Sequence, residues 1–145
     1  MHIVTGSDHA GFELKQSLIA HLEALGHTVT DKGTLKKERC DYPDYAASVA
    51  GSVAGGEADC GLLVCGTGIG MAMSANKVAG IRAAVVSDVF SARATREHND
   101  ANILCLGERV VGVGLAQDIL TAWLSAEFEG GRHQARIDKM MALEG

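Results

Sequence analysis

Short apolar runs rich in valine and isoleucine alternate along this chain with longer segments in which apolar residues recur at three- and four-residue steps. That alternation is typical of repeated β-strand and α-helix units. Strands are predicted near 2–6, 28–30, 60–65, 82–87 and 102–106, and helices near 11–25, 43–54, 69–77, 89–98, 113–125 and 132–143. Because crossovers between parallel strands are right-handed, the helices should cover both faces of one sheet.

The pattern therefore predicts an α/β fold of three layers. We expect a doubly wound, Rossmann or flavodoxin-like architecture around a five-stranded parallel sheet, with the strands in the order 2-1-3-4-5. The chain has 145 residues and contains no internal repeat or linker, so we expect a single domain over 1–145.

Composition excludes several classes of protein. A formal net charge of −5 provides no basic surface for nucleic acid, so a charged substrate would have to be bound by a few placed arginines. No stretch reaches the length of apolar chain that a membrane span requires, and the N-terminus does not read as a secretory leader. We therefore expect no nucleic-acid or membrane partner and a cytoplasmic location. The four cysteines form no C-x-x-C pair, which favours free thiols.

Two polar, glycine-rich loops follow neighbouring strands of the predicted sheet. Ser7–Gly11 follows the first strand, and Gly66–Gly70 follows the third. Ligands of open parallel sheets bind beyond the carboxyl ends of the strands, where the winding reverses direction. The sequence thus predicts one crevice between these two loops.

Cys65 is the residue at that crevice best suited to chemistry. It ends an apolar strand and precedes a G-x-G-x-G loop, whose glycines let backbone amides approach a ligand closely. A helix dipole and free amides would lower the pKa of the Cys65 thiol, although a plain core cysteine is also compatible with the position. The loop also suits a nucleotide phosphate, but a dinucleotide fingerprint would follow the first strand. A cysteine phosphatase would need an arginine at position 71, where this chain has Met.

Other polar residues offer an acid or base and a phosphate site. His98 closes the predicted fourth helix, and we expect it at the carboxyl edge of the sheet, although a histidine at a helix end also suits the helix dipole. Asp8 is equally compatible with a helix cap. Arg132 and Arg136 share one face of the last helix, either as solvated charges or as a fork for a phosphate dianion, to which Arg109 could add a third cation. No paired metal-ligand spacing is found, so we predict no metal.

Seven motifs occur in order along the chain. They are S-D-H-A-G at 7–11, D-Y-P at 41–43, C-G-T-G-I-G at 65–70, A-N-K at 75–77, G-I-R-A at 80–83, H-N-D-A-N at 98–102 and E-G-G-R-H at 129–133. Together they resemble the type B ribose-5-phosphate isomerases, in the family that also contains the galactose-6-phosphate isomerase subunits. The resemblance runs from Ile3 to about Arg136.

The resemblance implies an aldose-ketose isomerase that interconverts D-ribose 5-phosphate and D-ribulose 5-phosphate by ring opening and enediolate proton transfer, without a metal or other cofactor. Cys65 would be the base, and His98 would help to open the furanose ring with assistance from Thr67. The substrate-binding residues would be Gly66, Gly68, Ile69 and Gly70 at the enediolate oxygens, Asp8 and Asn99 at sugar hydroxyls, and His9, Arg109, Arg132 and Arg136 at the phosphate. Family members are dimers with shared active sites, so a homodimer is expected, with a tetramer left open.

Some branches of the family instead use a glutamate a few residues beyond the position of Cys65. The segment 66–77 contains no acidic residue, which favours the cysteine branch.

Two alternatives stay open. The substrate could be another sugar phosphate, such as allose 6-phosphate, galactose 6-phosphate or a four-carbon phosphate, because a pocket rejects one extra carbon only weakly. The fold alone would also allow a nucleotide- or flavin-binding module without catalysis. The absence of a dinucleotide fingerprint and the expected gathering of Cys65, His98 and the arginines at one edge argue against that module.

Overall fold

The computed structural model describes residues 1–144 and is built around a five-stranded sheet. The strands are β1 (His2–Ser7), β2 (Thr28–Asp31), β3 (Cys60–Cys65), β4 (Ala83–Val85) and β5 (Ile103–Gly107), and all neighbouring pairs are parallel. The helices are α1 (Phe12–Ala24), α2 (Tyr42–Ala54), α3 (Ile69–Ala75), α4 (Val89–Glu97), α5 (Val113–Ser125) and α6 (Arg132–Met141). The predicted α/β fold with a parallel sheet is confirmed.

Helices cover both faces of the sheet and make three layers. Alternate side chains of a strand point to opposite faces. In β3, Leu62 and Val64 pack in the core that contains residues of α1 and α5. Leu63 and Cys65 lie on the opposite face, in the core that contains residues of α2 and α3. The thiol that the sequence singled out therefore points to the α2 and α3 side.

The strand order differs from the predicted one at one end of the sheet. The observed order is β2-β1-β3-β5-β4, so the prediction 2-1-3-4-5 was wrong for the last two strands. All five residues of β5 are buried, and such a strand is stable where it has neighbours on both sides. The strand β4 has only three residues, all partly or fully exposed, which suits an edge position.

The two edges of the sheet carry different parts of the chain. Each strand ends at the carboxyl edge, and the helix that follows returns the chain to the amino edge. The nine residues of α4 span roughly 13 Å in this way. The short segment 98–102 then connects the end of α4 to the start of β5. At the start of β5, Ile103 pairs with Gly61, whereas Gly107 at its end pairs with Cys65. Residues between α4 and β5 therefore lie at the amino edge, away from Cys65.

The loop at 32–41, between β2 and α2, is attached to the rest of the fold at both ends. The fully buried Lys15 of α1 donates hydrogen bonds to the carbonyl oxygen of Thr34 at 2.5 Å and to Oδ1 of Asp31 at 2.7 Å. Near the other end, the amide of Cys40 donates to Nδ1 of His9 at 3.2 Å. Among residues 1–144, no helix is both long enough and apolar enough to cross a membrane.

Candidate active site

The Cys65 thiol lies inside the turn that joins β3 to α3. The backbone amide of Gly68 donates a hydrogen bond to Sγ of Cys65 at 3.1 Å, and the amide of Ile69 donates to Oγ1 of Thr67 at 3.2 Å. Gly68 has a φ of 80°, and a Cβ on it would lie 2.9 Å from the Val85 side chain. Glycine is therefore required at the one position that directs an amide to the sulfur.

Beside the thiol is an open cavity of about 390 Å³. Its lining includes Asp8, Tyr42, Cys65, Gly66, Thr67 and Gly70. The first intrahelical bond of α3 runs from the amide of Ala72 to the carbonyl of Gly68. The amides of the two preceding residues, Gly70 and Met71, therefore have no i−4 partner within the helix. The cavity thus combines one thiol, two hydroxyls, one carboxylate and amide donors, which suits a small polar ligand.

Tyr42 is a residue of this cavity that the prediction of site residues omitted. The first residue of α2 packs its ring directly against the backbone of Gly70, where any Cβ would collide with it. The motif D-Y-P contained the residue, but nothing in its local spacing indicates that it faces the glycine loop. Only the tertiary contact between α2 and α3 brings the two together.

Asp8 and His9 follow β1 at the same edge. Oδ1 of Asp8 accepts hydrogen bonds from the amides of Ala10 at 3.0 Å and Gly11 at 3.1 Å, so the helix-cap interpretation of this buried residue is confirmed. Nδ1 of His9 accepts from the amide of Cys40, which fixes the tautomer with the proton on Nε2. Both side chains are thus held in one orientation beside the cavity.

Arg109 packs beside the glycine loop that follows Cys65. The amides of Glu108 and Arg109 donate to the carbonyl oxygens of Cys65 at 2.9 Å and Gly66 at 3.1 Å. A Cβ on Gly66 would lie 3.7 Å from Cδ of Arg109 and 3.8 Å from Cβ of Ala10, the residue after His9. The exposed Arg109 and the segment that carries His9 therefore flank the same backbone.

The remaining predicted site residues lie at the other edge of the sheet. His98 and Asn99 come between α4 and β5, so the expectation that His98 lies at the carboxyl edge near Cys65 was wrong for a single chain. The ring of His98 stacks on His133 of α6, with centroids 4.5 Å apart. Arg132 and Arg136 are exposed on that same helix. One chain therefore carries two half-sites: the thiol half-site at the carboxyl edge and the histidine half-site at the amino edge.

A larger cavity, of about 470 Å³, lies near the amino edge of the sheet. Asn99 lines it together with Arg82, Met140 and Leu143, between the amino-edge segment and the last helix. Its lining contains neither a cysteine nor a histidine. We therefore assign the reacting groups to the smaller cavity beside Cys65.

Two of the buried cysteines, Cys60 and Cys105, are held in the neutral form by burial. Burial raises the pKa of the Cys60 thiol to about 11, and burial together with the neighbouring Cys65 raises the pKa of Cys105 further. Both stay protonated near neutral pH. Cys65 is the buried cysteine that reaches the cavity.

A thiol at the carboxyl end of a central parallel strand, held by a glycine turn beside a polar cavity, defines a class of protein: an α/β enzyme for a small polar substrate. Comparison with known proteins gives the family. Residues 3–140 match the family Ribose/Galactose Isomerase, and the chain belongs to that family.

Relatives and solved structures match nearly the whole chain. Over 142 residues the chain is 55% identical to "Ribose-5-phosphate isomerase B" of Escherichia coli (strain K12), covering 98% of this chain and 95% of the relative. It is 43% identical to "D-erythrulose-4-phosphate isomerase" of Pectobacterium atrosepticum, covering 97% and 93%. A solved structure of Clostridium thermocellum Ribose-5-Phosphate Isomerase B superimposes with a TM-score of 0.98 at 53% identity, covering 99% and 97%.

Proposed function

We propose that this protein is an aldose-ketose isomerase that interconverts D-ribose 5-phosphate and D-ribulose 5-phosphate. The observation that carries the proposal is the Cys65 thiol, which accepts a hydrogen bond from the amide of Gly68 beside a cavity lined by further donors. The family and the 55% identity to the Escherichia coli relative support the substrate. No metal or other cofactor is required in this proposal.

Cys65 is the base of the proposed reaction. In the open-chain aldose, the thiolate removes the proton from C2, and the electron pair of that C–H bond moves to form the enediolate of C1 and C2. The same sulfur returns the proton to C1, while the hydroxyl proton moves from O2 to O1, which leaves the ketose. A base that serves both carbons must lie within hydrogen-bonding reach of each, and a single thiolate beside the cavity meets that requirement.

The loop from Gly66 to Gly70 stabilises the enediolate. Negative charge develops on the oxygens at C1 and C2, and preorganised amide donors lower the energy of that charge more than that of the neutral sugar. The amides that precede the first i−4 bond of α3 are the donors available for this. The exposed Thr67, whose hydroxyl is oriented by the amide of Ile69, assists ring opening.

The complete site needs two copies of the chain. Cys65 and His98 lie at opposite edges of one sheet, so the partner subunit's His98 is the one that opens the furanose ring beside Cys65. Around the thiol half-site, Ile69, Met73 and Val85 are exposed apolar side chains. An apolar surface next to a polar cavity is typical of a surface that another protein covers. We therefore propose a homodimer with shared active sites.

The phosphate is bound by side chains from both subunits in this arrangement. His9 and Arg109 flank Gly66 in the thiol half-site, and the partner subunit's Arg132 and the partner subunit's Arg136 complete the set. Asp8 binds a sugar hydroxyl with the carboxylate oxygen that does not cap the turn, and the partner subunit's Asn99 binds another. A guanidinium group forms paired hydrogen bonds to phosphate, which favours arginine here.

The first test compares wild type with Cys65→Ala on ribose 5-phosphate in EDTA, following formation of the ketose. Activity without metal that falls by several powers of ten in the variant is expected, with folding and substrate binding kept. A loss smaller than about tenfold would move the base to another residue. Wild type without any activity on ribose 5-phosphate would refute the proposed substrate.

A second test addresses the shared site. Cys65→Ala and His98→Asn each carry one damaged half-site, and mixed dimers of the two combine one intact site with one doubly damaged site. Co-refolding inactive preparations of both variants should restore up to about a quarter of the wild-type activity if half of the dimers are mixed. The control is each variant refolded with itself. If mixing restores nothing, each site must be made within one chain.

A sugar phosphate with four or six carbons is the second candidate substrate, and the comparisons with known proteins favour keeping it. The family description includes galactose, and the Pectobacterium atrosepticum relative is named for a four-carbon phosphate. The ratio of kcat/KM between four-, five- and six-carbon phosphates decides between them. A preference of more than about tenfold for a four- or six-carbon substrate would overturn the choice of ribose 5-phosphate.

A further inference from the structure

Three possible metal ligands converge in the histidine half-site. His98, Glu129 and His133 each bring one ligand atom within 4.8 Å of the other two. Oε1 of Glu129 lies 3.4 Å from Nε2 of His133 and 3.9 Å from Nε2 of His98. Two ligands of a tetrahedral Zn²⁺ ion are separated by roughly 3.4 Å when each bond is about 2.1 Å. One pair already has that spacing, and the other is slightly wider.

The backbone places these ligands close together before any ion binds. The amide of Glu129 donates to the carbonyl oxygen of Glu97 at 3.0 Å, which attaches the loop before α6 to the end of α4. His133 follows in the first turn of α6 and stacks on His98 with 15° between the ring planes. His98 is 44% exposed, so its ring has room for the small rotation that closes the wider gap.

His133 provides an independent indication of a ligand. The residue is 6% exposed, and its Nε2 atom has no hydrogen-bond partner among the described residues. The contact to Glu129 is close in distance but does not have hydrogen-bond geometry. A buried polar atom left without a partner destabilises the fold, and an ion that takes its lone pair removes that cost.

We propose that His98, Glu129 and His133 form a binding site for a divalent first-row metal ion of the Zn²⁺ class. Two neutral imidazoles and one carboxylate are a ligand set that suits Zn²⁺, with a fourth position left for water. Mg²⁺ and Ca²⁺ prefer oxygen ligands and are not expected to bind here. Ligand spacing along the chain does not indicate this set, because His98 is distant in sequence from the other two residues.

The ion would act as an inhibitor of the isomerase. Coordination occupies the lone pair on Nε2 of His98, the group that opens the furanose ring in the proposed reaction. Turnover of the cyclic aldose therefore stops while the ion is bound. This consequence rests on the proposed function, whereas the binding itself does not.

Binding is tested by titrating metal-free protein with Co²⁺ at about pH 8, where imidazoles are neutral, and by displacing it with Zn²⁺. One ion per chain is expected, with the strong visible absorption of four-coordinate Co²⁺ and no sulfur-to-metal charge-transfer band. Glu129→Gln and His133→Gln should each weaken binding by at least about tenfold. His27→Asn is the control, because the ring of this histidine is hydrogen-bonded to the N-terminal amine and is distant in the sequence from the three ligands.

Two results would overturn the proposal. One is binding to Glu129→Gln as tight as to wild type; this variant changes an exposed side chain, so it tests the site even where His133→Gln does not fold. The other is a thiolate band, which would place the ion on a cysteine.

Zn²⁺ at saturation should also slow ribose 5-phosphate turnover at least about tenfold in wild type and much less in Glu129→Gln. Absence of isomerisation in EDTA would refute the proposed function and leave the binding result standing.

Discussion

The backbone amide of Gly68 donates a hydrogen bond to Sγ of Cys65, the last residue of β3, three positions earlier in the chain. This bond is possible because Gly68 has a φ of 80°, in the left-handed region, which turns its amide back toward the end of β3. A donor aimed at sulfur stabilises the thiolate relative to the thiol. The turn therefore links a backbone conformation to the chemistry of the proposed base.

Gly68→Ala should break that link. The new Cβ would lie 2.9 Å from Cγ2 of Val85 and 3.0 Å from the carbonyl carbon of Leu106, and a left-handed alanine adds about 1 kcal/mol of strain. We expect kcat on ribose 5-phosphate to fall at least about tenfold and the melting temperature to fall by several degrees. Gly112→Ala is the matched control, because its Cβ would meet no atom within 4 Å. An unchanged kcat in Gly68→Ala would show that the bond to Sγ is unimportant.

His98→Asn should affect the two directions of the reaction differently. Ribose 5-phosphate must open its furanose ring before C2 can react, whereas ribulose 5-phosphate cannot close to a furanose. We expect the initial rate to fall more with ribose 5-phosphate, a mixture of cyclic and open-chain forms, than with ribulose 5-phosphate. The rate with the open-chain form of the aldose alone should also fall less than the rate with the mixture. Initial rates in both directions, corrected for the equilibrium constant, measure this. Equal losses would count against a ring-opening role for His98.

The sequence was sufficient for the elements of the fold but not for their order. The strands and helices were predicted because each carries its own period of apolar residues. The position of a strand within the sheet depends on which strand buries more surface, and the prediction followed chain order instead. The contrast between the fully apolar β5 and the short Ala83–Val85 strand was the available signal.

The thiol half-site was predicted correctly as a local arrangement, since Cys65 and its loop are consecutive in sequence. The placement of His98 failed for a reason of connectivity: a residue between the end of a helix and the next strand returns to the amino edge. The contact of Tyr42 with Gly70 and the convergence of His98 with His133 depend on packing between separate elements. No spacing rule along the chain could have indicated either.

Lys15→Met should destabilise the fold and loosen the loop at 32–41. The ammonium group is fully buried and bonds to Asp31 and to the carbonyl of Thr34, so its removal leaves a partly buried carboxylate without its partner. We expect a loss of about 3 kcal/mol in the free energy of unfolding, measured by urea titration. Lys36→Met is the control, since the ion pair of Lys36 with Glu38 is exposed and should contribute little.

The same substitution should also weaken substrate binding. The loop that Lys15 attaches carries the Cys40 amide, which donates to His9, a residue of the proposed phosphate site. KM for ribose 5-phosphate should therefore rise several-fold in Lys15→Met with a smaller change in kcat. A variant that loses stability while keeping the wild-type KM would separate the loop from the site.

Cys60 should make the fold less stable at high pH. Burial raises the pKa of its thiol from 9.0 in the unfolded chain to about 11 in the folded protein. A raised thiol pKa favours the folded state as long as the thiol stays protonated, so the stabilisation is complete below pH 9 and is lost as the pH rises toward 11. The loss attributable to Cys60 should reach about 2 kcal/mol near the upper value. Urea unfolding of wild type and Cys60→Ala at both pH values measures it, because the difference between the two proteins cancels the titration of other groups. If Cys60→Ala loses as much stability as wild type over this range, the thiol is not the group responsible.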